Sequence, residues 1–209
     1  MFLNVIDWSI FENFDWKIFQ FAEIIKCDFL DYFLGAISWL GDFGLLWIIL
    51  GLAMLFFKKT RKTGIVLLLS LIIVSIVANL WLKPLFDRPR PFDYIWKNGI
   101  IFNDELYRPS FLKVPGSLSF PSGHTSVAFA PAFVVYFYQK HKWGVPAIIF
   151  AFLTGLSRIY VHDHYPTDVI AGIITGIVCG LVAILLEKLV CNVIVPYVKS
   201  KKRGAKNEH

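Results

Sequence analysis

The sequence predicts an all-α membrane protein: a polytopic bundle of six transmembrane spans with an N-terminal interfacial helix. Three observations carry that prediction. Of 209 residues, 56% are hydrophobic and only 17% charged, with a mean hydropathy of +0.61. That is too little charge to cover a soluble domain of this size. The apolar residues gather in uncharged runs, one of them long enough to cross a bilayer unaided. The basic residues cluster at the ends of those runs: Lys58, Lys59, Arg61 and Lys62; Lys140 and Lys142; and Lys199, Lys201, Lys202, Arg203 and Lys206. This is the positive-inside pattern of short cytoplasmic loops. It accounts for the net charge of +6 as a topology signal, and nucleic acid is not an expected partner.

Taken in order, the N-terminal stretch Met1 to Asp15 carries acids and does not read as a cleaved signal peptide. From Phe14 to Ile25, apolar residues recur at roughly helical spacing with Asp15, Lys17 and Glu23 between them, which suits a helix lying in the interface. Phe29 to Leu40 is short for a span and is read as a tilted first crossing, with five spans and an external N-terminus as the alternative. Phe43 to Phe57 is uncharged, and Thr63 to Leu82 is an uncharged run of 20 residues. Thr125 to Gln139 follows, with a kink expected at Pro131, then Trp143 to Ser157 and Val169 to Leu186. Gly172, Gly176 and Gly180 recur every four residues and predict a helix-packing seam. The odd cysteines Cys27, Cys179 and Cys191 suit neither a disulfide framework nor a metal site. The apolar runs leave no room for a second domain, so residues 1–209 form one membrane-embedded domain with a core of 29–186 and a basic cytoplasmic tail, 199–209.

Alternation of the runs puts Lys83 to Pro121 and Arg158 to Asp168 together on the face opposite the basic loops, the outer one. Three polar clusters meet there. In Lys83-Pro-Leu-Phe-Asp-Arg88-Pro-Arg90-Pro91 the prolines stiffen a chain whose cations suit phosphate oxygens, although cations at a span end also serve as snorkelling anchors. In Pro121-Ser122-Gly123-His124, Ser122 is a candidate N-cap, and Gly123 lets a ligand approach the backbone of a helix N-terminus, where anions bind. By itself His124 is also an ordinary polar residue at the water boundary. In the third cluster, Ser157 to Asp168, His164 and Asp168 are four residues apart and share a helical face. A carboxylate on one ring nitrogen leaves the other as a nucleophile. A zinc site built on His162, His164 and either Asp163 or Asp168 is the rival reading, disfavoured by the neighbouring cations.

Order and spacing also carry a resemblance. Lys83 with Arg90-Pro91, Pro121 to His124, and Ser157-Arg158 with His164 and Asp168 match, complete and in sequence, the three motifs of the type 2 phosphatidic acid phosphatase superfamily. The chain resembles this family from about Phe29 to Leu186. The resemblance implies a metal-independent phosphatase with no cofactor. His164 is then the nucleophile that forms a phosphohistidine, Asp168 its orienting group, and His124 the acid that protonates the leaving oxygen and later activates water. Lys83, Arg90, Arg158 and the backbone of Ser122 and Gly123 hold the phosphoryl oxygens. The roles of Arg88 and His162 stay open.

The function expected is hydrolysis of a lipid phosphate or pyrophosphate at the cell membrane. An outer-face site suits undecaprenyl pyrophosphate; phosphatidylglycerol phosphate and phosphatidate are the other candidates. A lipid phosphotransferase using the same intermediate and a non-enzymatic anion transporter are the competing classes. No obligate protein partner is expected. Phe92, Tyr94, Trp96 and Phe102 read as interfacial belt residues beside the lipid.

Overall fold

Helix α1 spans Ser9–Ile24, α2 Asp28–Leu40 and α3 Leu45–Leu55. Helix α4, Arg61–Ser75, runs on through a π-helical segment, Ile76–Leu82, into a last turn, Lys83–Phe86. Helix α5 is Gly123–Tyr160, and α6, Pro166–Leu189, continues as a π-helical turn, Val190–Ile194. These elements come from a computed structural model that describes residues 6–41, 44–91 and 118–196. The expected belt residues Phe92, Tyr94, Trp96 and Phe102 and the basic tail lie outside the described residues.

The solvent logic of this bundle is inverted. Leu45, Ile49, Leu52, Ile65, Ile72, Ile149, Phe152, Ile174 and Leu185 face outward, while Arg88, Arg90, Arg158, Asp15, Asp163 and Asp168 are buried. Lipid is the solvent that makes this arrangement stable, because a helix satisfies its own backbone polar groups. Three helical segments are long and apolar enough to cross a bilayer: Arg61–Phe86, Gly123–Tyr160 and Pro166–Val193. The pair Asp28–Leu40 and Leu45–Leu55, bent by 53°, makes a fourth if it is one broken span. These lengths do not give six spans. At 13 residues, α2 reaches only about 20 Å, short of a hydrocarbon core about 30 Å thick.

Helix α5 is two helices. Lys140, at φ 51° and ψ −143°, breaks it, whereas Pro131 lies inside continuous helix. The break at Lys140 falls in the loop expected between the runs Thr125 to Gln139 and Trp143 to Ser157, and the helix is not broken at Pro131. The two halves fold back on each other: a Cβ on Gly144 would fall 2.4 Å from Cα of Tyr136, and Gly155 lies against Thr125 and Val169. Helix α6 then docks on the first half of α5. A Cβ on Gly172, Gly176 or Gly180 would meet the carbonyl of Ser122, Ser126 or Ala130 at 2.8, 2.8 and 2.7 Å. The four-residue glycine stripe thus matches a four-residue row of carbonyls, and the predicted packing seam is real. Trp47, Leu67, Phe129, Val134 and Ile184 fill the core between α3, α4, α5 and α6.

Two ends result, with different chemistry. At one, Lys62 lies 3.0 Å from Glu187, Tyr138 donates to Glu187 at 2.9 Å, and Gln139 donates to Thr63 at 2.8 Å. The described basic clusters gather here. At the other end, the last turn of α4, the N-terminus of α5, the C-terminus of α5 and the N-terminus of α6 converge. Helices α1 and α2 also reach that end: Asp15 contacts Arg88, Tyr160 donates to Asp31 at 2.5 Å, and Arg158 donates to Ser38.

Candidate active site

The turn between α5 and α6 is built around Arg158. Its carbonyl accepts from the N–H groups of Asp163 (3.0 Å) and His164 (3.2 Å), closing the chain into a tight loop. His162 takes a left-handed conformation, φ 53°, which sends its neighbours to different sides. His162 faces α1, with Nε2 3.4 Å from Glu23 and its ring 4.7 Å from that of Phe19. His164 turns into the bundle and is wholly buried.

One ring nitrogen of His164 is held. Nδ1 lies 3.3 Å from the Ser119 hydroxyl and 3.6 Å from Asp168 Oδ2, and Ser119 in turn donates to Asp168. Since 3.6 Å is too long for a hydrogen bond, Ser119 completes the link between imidazole and carboxylate. The other nitrogen, Nε2, has no hydrogen-bond partner among the described residues and lies 3.8 Å from Asp163. Burial holds the His164 imidazole below its usual pKa, against the pull of Asp168. A neutral ring with one anchored and one open nitrogen is the form a nucleophile requires.

The cations stand beside it. Arg90 and Arg158 both donate to Asp163, the latter at 2.7 Å. Burial raises the Asp163 carboxyl's pKa, but the cationic groups around it, Arg158 and Arg90 among them, hold it well below the usual carboxylate range. Lys83 and His124 line a cavity of about 360 Å³ with Gly41, Gly44, Ser75, Asn79, Gly123 and Val127. The rings of His124 and His164 are 6.4 Å apart. A Cβ on Gly123 would sit 3.0 Å from Asn79 Oδ1 and 3.4 Å from Lys83 Nζ, so a larger residue would push these two side chains back from the cavity.

Ser122 caps α5 as expected: its hydroxyl accepts from Thr125 N at 3.4 Å. Its own N–H donates to the Asp168 carbonyl at 3.0 Å, which ties the motif to α6 rather than to an anion. Of this pair, Gly123 is the residue that lines the cavity. Thus His124, His164, Asp168, Lys83, Arg90, Arg158 and Gly123 are brought together, and Ser122 is one hydrogen bond behind them.

Arg88 fills a role that spacing does not reveal. It donates to Asp168 at 2.6 Å, to Thr167 at 2.7 Å and to Asp15 at 2.8 Å, between the rings of Trp8 and Tyr165. Asp15 also accepts from Thr167 N at 3.0 Å, so α1 is bound to the N-terminus of α6 through the group that fixes Asp168. The signals available were Arg88 itself, among the three cations of its cluster, and Asp15, one of several charges on an amphipathic stretch, with nothing to pair them.

His124, Asp163 and His164 present donor atoms within 4.8 Å of one another, the spacing of a metal-ligand set. Asp163, however, already gives one oxygen to each arginine, and a divalent cation would sit against two guanidinium groups. The rival zinc set fails on geometry, because His162 is turned toward Glu23. This donor set suits an anion.

A helical membrane protein whose buried arginines surround an anchored histidine is built for phosphoryl chemistry. Residues 63–189 match the model of the PAP2 superfamily, and the chain belongs to that family. It is 34% identical over 129 residues to an undecaprenyl-diphosphatase of Sulfolobus acidocaldarius, covering 60% of this chain and 56% of that protein. It is 30% identical over 176 residues to phosphatidylglycerophosphatase B of Bacillus subtilis, covering 77% of each. The crystal structure of Aquifex aeolicus LpxE superposes with a TM-score of 0.66 at 26% identity, over 88% of this chain and 99% of that one. Against the undecaprenyl-diphosphatases of S. acidocaldarius and B. subtilis, the match spans about half of each relative's length, 56% and 47%.

Replacing Arg88 with Ala would strand Asp15 and Asp168 as buried, uncompensated carboxylates. A loss of about 3–5 kcal/mol is expected, read as a lowered thermal unfolding midpoint in detergent. Arg88→Lys should recover only part of it, because a single ammonium cannot fork between two carboxylates.

Proposed function

We propose that this protein is a single-domain, metal-independent membrane phosphatase that hydrolyses a lipid phosphate or pyrophosphate through a phosphohistidine on His164. Undecaprenyl pyrophosphate and phosphatidylglycerol phosphate are the leading substrates. One observation carries the reading: the buried His164 has Nδ1 fixed by Ser119 and Asp168, while Nε2 stands open beside Asp163 and its two arginines. The names of the relatives support the substrate class.

In the first step, the Nε2 lone pair attacks phosphorus and the bond to the leaving oxygen breaks. His124 gives that oxygen its proton. Asp168 stabilises the positive charge that develops on the His164 ring. In the second step, neutral His124 takes a proton from water, the hydroxide attacks phosphorus, and the P–N bond breaks to release inorganic phosphate and restore His164. Arg90, Arg158, Lys83 and the Gly123 N–H hold the phosphoryl oxygens throughout, supplying fixed charge where many phosphotransferases use metal ions. The cavity beside Lys83 and His124 receives the leaving group.

The site is proposed to face the outer side, with the basic ends cytoplasmic. The positive-inside bias of Lys58 to Lys62 and of Lys140 with Lys142 supports that orientation. Five crossings fit the contacts better than six: the bent α2–α3 pair as one, α4 as one, each half of α5, and α6. Both Asp31 and Ser38 of α2 touch the site end, so α2 does not begin on the far side. Helix α1 then lies at the outer interface.

Purified protein should release phosphate from lipid phosphates in excess EDTA, and His164→Ala should abolish turnover while the variant remains inserted. Asp168→Asn should retain a small fraction of activity. Wild-type rates falling on chelation and restored by a divalent ion would sink the metal-free mechanism. For orientation, Cys27 is exposed between α1 and α2 at the site end. In a Cys191→Ser background it should react with an impermeant thiol reagent in intact cells. A cysteine replacing Lys59, in a background lacking Cys27 and Cys191, should not; the opposite pattern would reverse the orientation.

A further inference from the structure

Asp163 takes no part in the mechanism above, yet it occupies the centre of the site. Only 2% of it is exposed. Its two oxygens are held separately, one by Arg90 and one by Arg158, and Oδ2 is 3.8 Å from the open nitrogen of His164. A carboxylate so placed presents two anionic oxygens to the same forks that would grip two oxygens of a phosphoryl group. Its distance from Nε2 is that of a group in van der Waals contact with the nucleophile.

We propose that Asp163 is a resident anion of the phosphoryl site and that it sets which phosphates can enter. In the free protein its carboxylate keeps Arg90 and Arg158 converged and neutralises part of their buried charge. The substrate's phosphoryl group displaces it. The side chain can swing away without moving the turn, because the backbone N–H remains bonded to the Arg158 carbonyl. This inference rests on the phosphatase reading and gives it a selection rule. A terminal phosphate carries up to two charges and three free oxygens, so it outbids a singly charged carboxylate for two guanidinium groups. A phosphodiester carries one charge and two free oxygens, and gains nothing by the exchange. The site lies in a bilayer whose ordinary headgroups are phosphodiesters, all of them competitors at high local concentration. Asp163 keeps them out by already occupying both guanidinium forks and cancelling part of their charge until a better anion arrives, an element of competition built for specificity.

The experiment uses two non-hydrolysable probes, inorganic phosphate and dimethyl phosphate, on the full-length protein in detergent. Binding is read as a shift in thermal midpoint and as competitive inhibition of lipid phosphate hydrolysis. In the wild type, inorganic phosphate should bind weakly and dimethyl phosphate should produce no shift. In Asp163→Asn, phosphate should bind at least roughly tenfold tighter, equivalent to about 1.4 kcal/mol, and dimethyl phosphate should become a ligand. Asp163→Asn also leaves two buried guanidinium groups without an anion, so its midpoint should fall and phosphate should restore it. A purely structural carboxylate would lower the midpoint without that phosphate-dependent recovery. Unchanged or weaker phosphate binding in Asp163→Asn, or a variant that phosphate cannot rescue, overturns the proposal. The thermal shift needs no turnover, so it separates the two claims. Tighter phosphate binding in Asp163→Asn without wild-type lipid hydrolysis would uphold the resident anion and reject the phosphatase. The converse would do the reverse.

Discussion

Among the described residues three arginines are buried, each needs an anion, and this requirement organises the site end of the molecule. Charge cannot be taken out of water unless it is paired and hydrogen-bonded. Arg88 is paired with Asp15 and Asp168, and Arg90 and Arg158 share Asp163. The two sets are joined at His164, which stands between Asp168 on one nitrogen and Asp163 near the other. Each helix that delivers a charge is thereby fixed: α1 by Asp15, the end of α5 by Arg158, and the start of α6 by Asp168. Structure and chemistry use the same ion pairs.

Lipid outside and charge inside reinforce each other. Packing among the helices cannot rely on the hydrophobic effect when the solvent is as apolar as the side chains, so close backbone approach takes its place. The glycine stripe of α6 against the carbonyl row of α5 brings the N-termini of these helices together, and the Ser122 N–H donates to the Asp168 carbonyl at that junction. Gly123 at the N-terminus of α5 lines the cavity, whereas the N-terminus of α6 gives its Thr167 N–H to Asp15. The π-helical stretch Ile76–Leu82 precedes Lys83, and Asn79 within it lines the cavity beside Gly123.

Much of this was legible in the sequence, and the remainder was hidden for identifiable reasons. Uncharged runs fixed where helices lie, and the polar clusters that interrupt them marked the residues that converge. Spacing placed Asp168 near His164, but not the Ser119 hydroxyl between them, which comes from a segment 45 residues away. Arg88 and Asp15 were equally out of reach, because their pairing joins positions 73 apart and has no local period. Hydropathy counted Phe29 to Leu40 as a span, but at 13 residues α2 is short for a crossing of its own, and composition does not tell that Asp31 and Ser38 both bond to groups at the site end. The basic pair Lys140 and Lys142 marked the place where the two packed halves of α5 reverse direction, whereas Pro131 is accommodated inside helix without a break. The zinc reading of His162 with His164, already disfavoured by the neighbouring cations, loses its geometry because His162, itself left-handed, faces Glu23.

The central claim is that Nε2 of His164 becomes covalently bonded to phosphorus during turnover. Rapid quenching of the wild-type protein with a lipid phosphate labelled in its terminal phosphorus, followed by peptide mapping under alkaline conditions, tests it most directly. The account predicts an alkali-stable, acid-labile label on His164 that forms and decays at rates compatible with turnover. Steady phosphate release with no label on His164, or with the label on a carboxylate or hydroxyl, would contradict it.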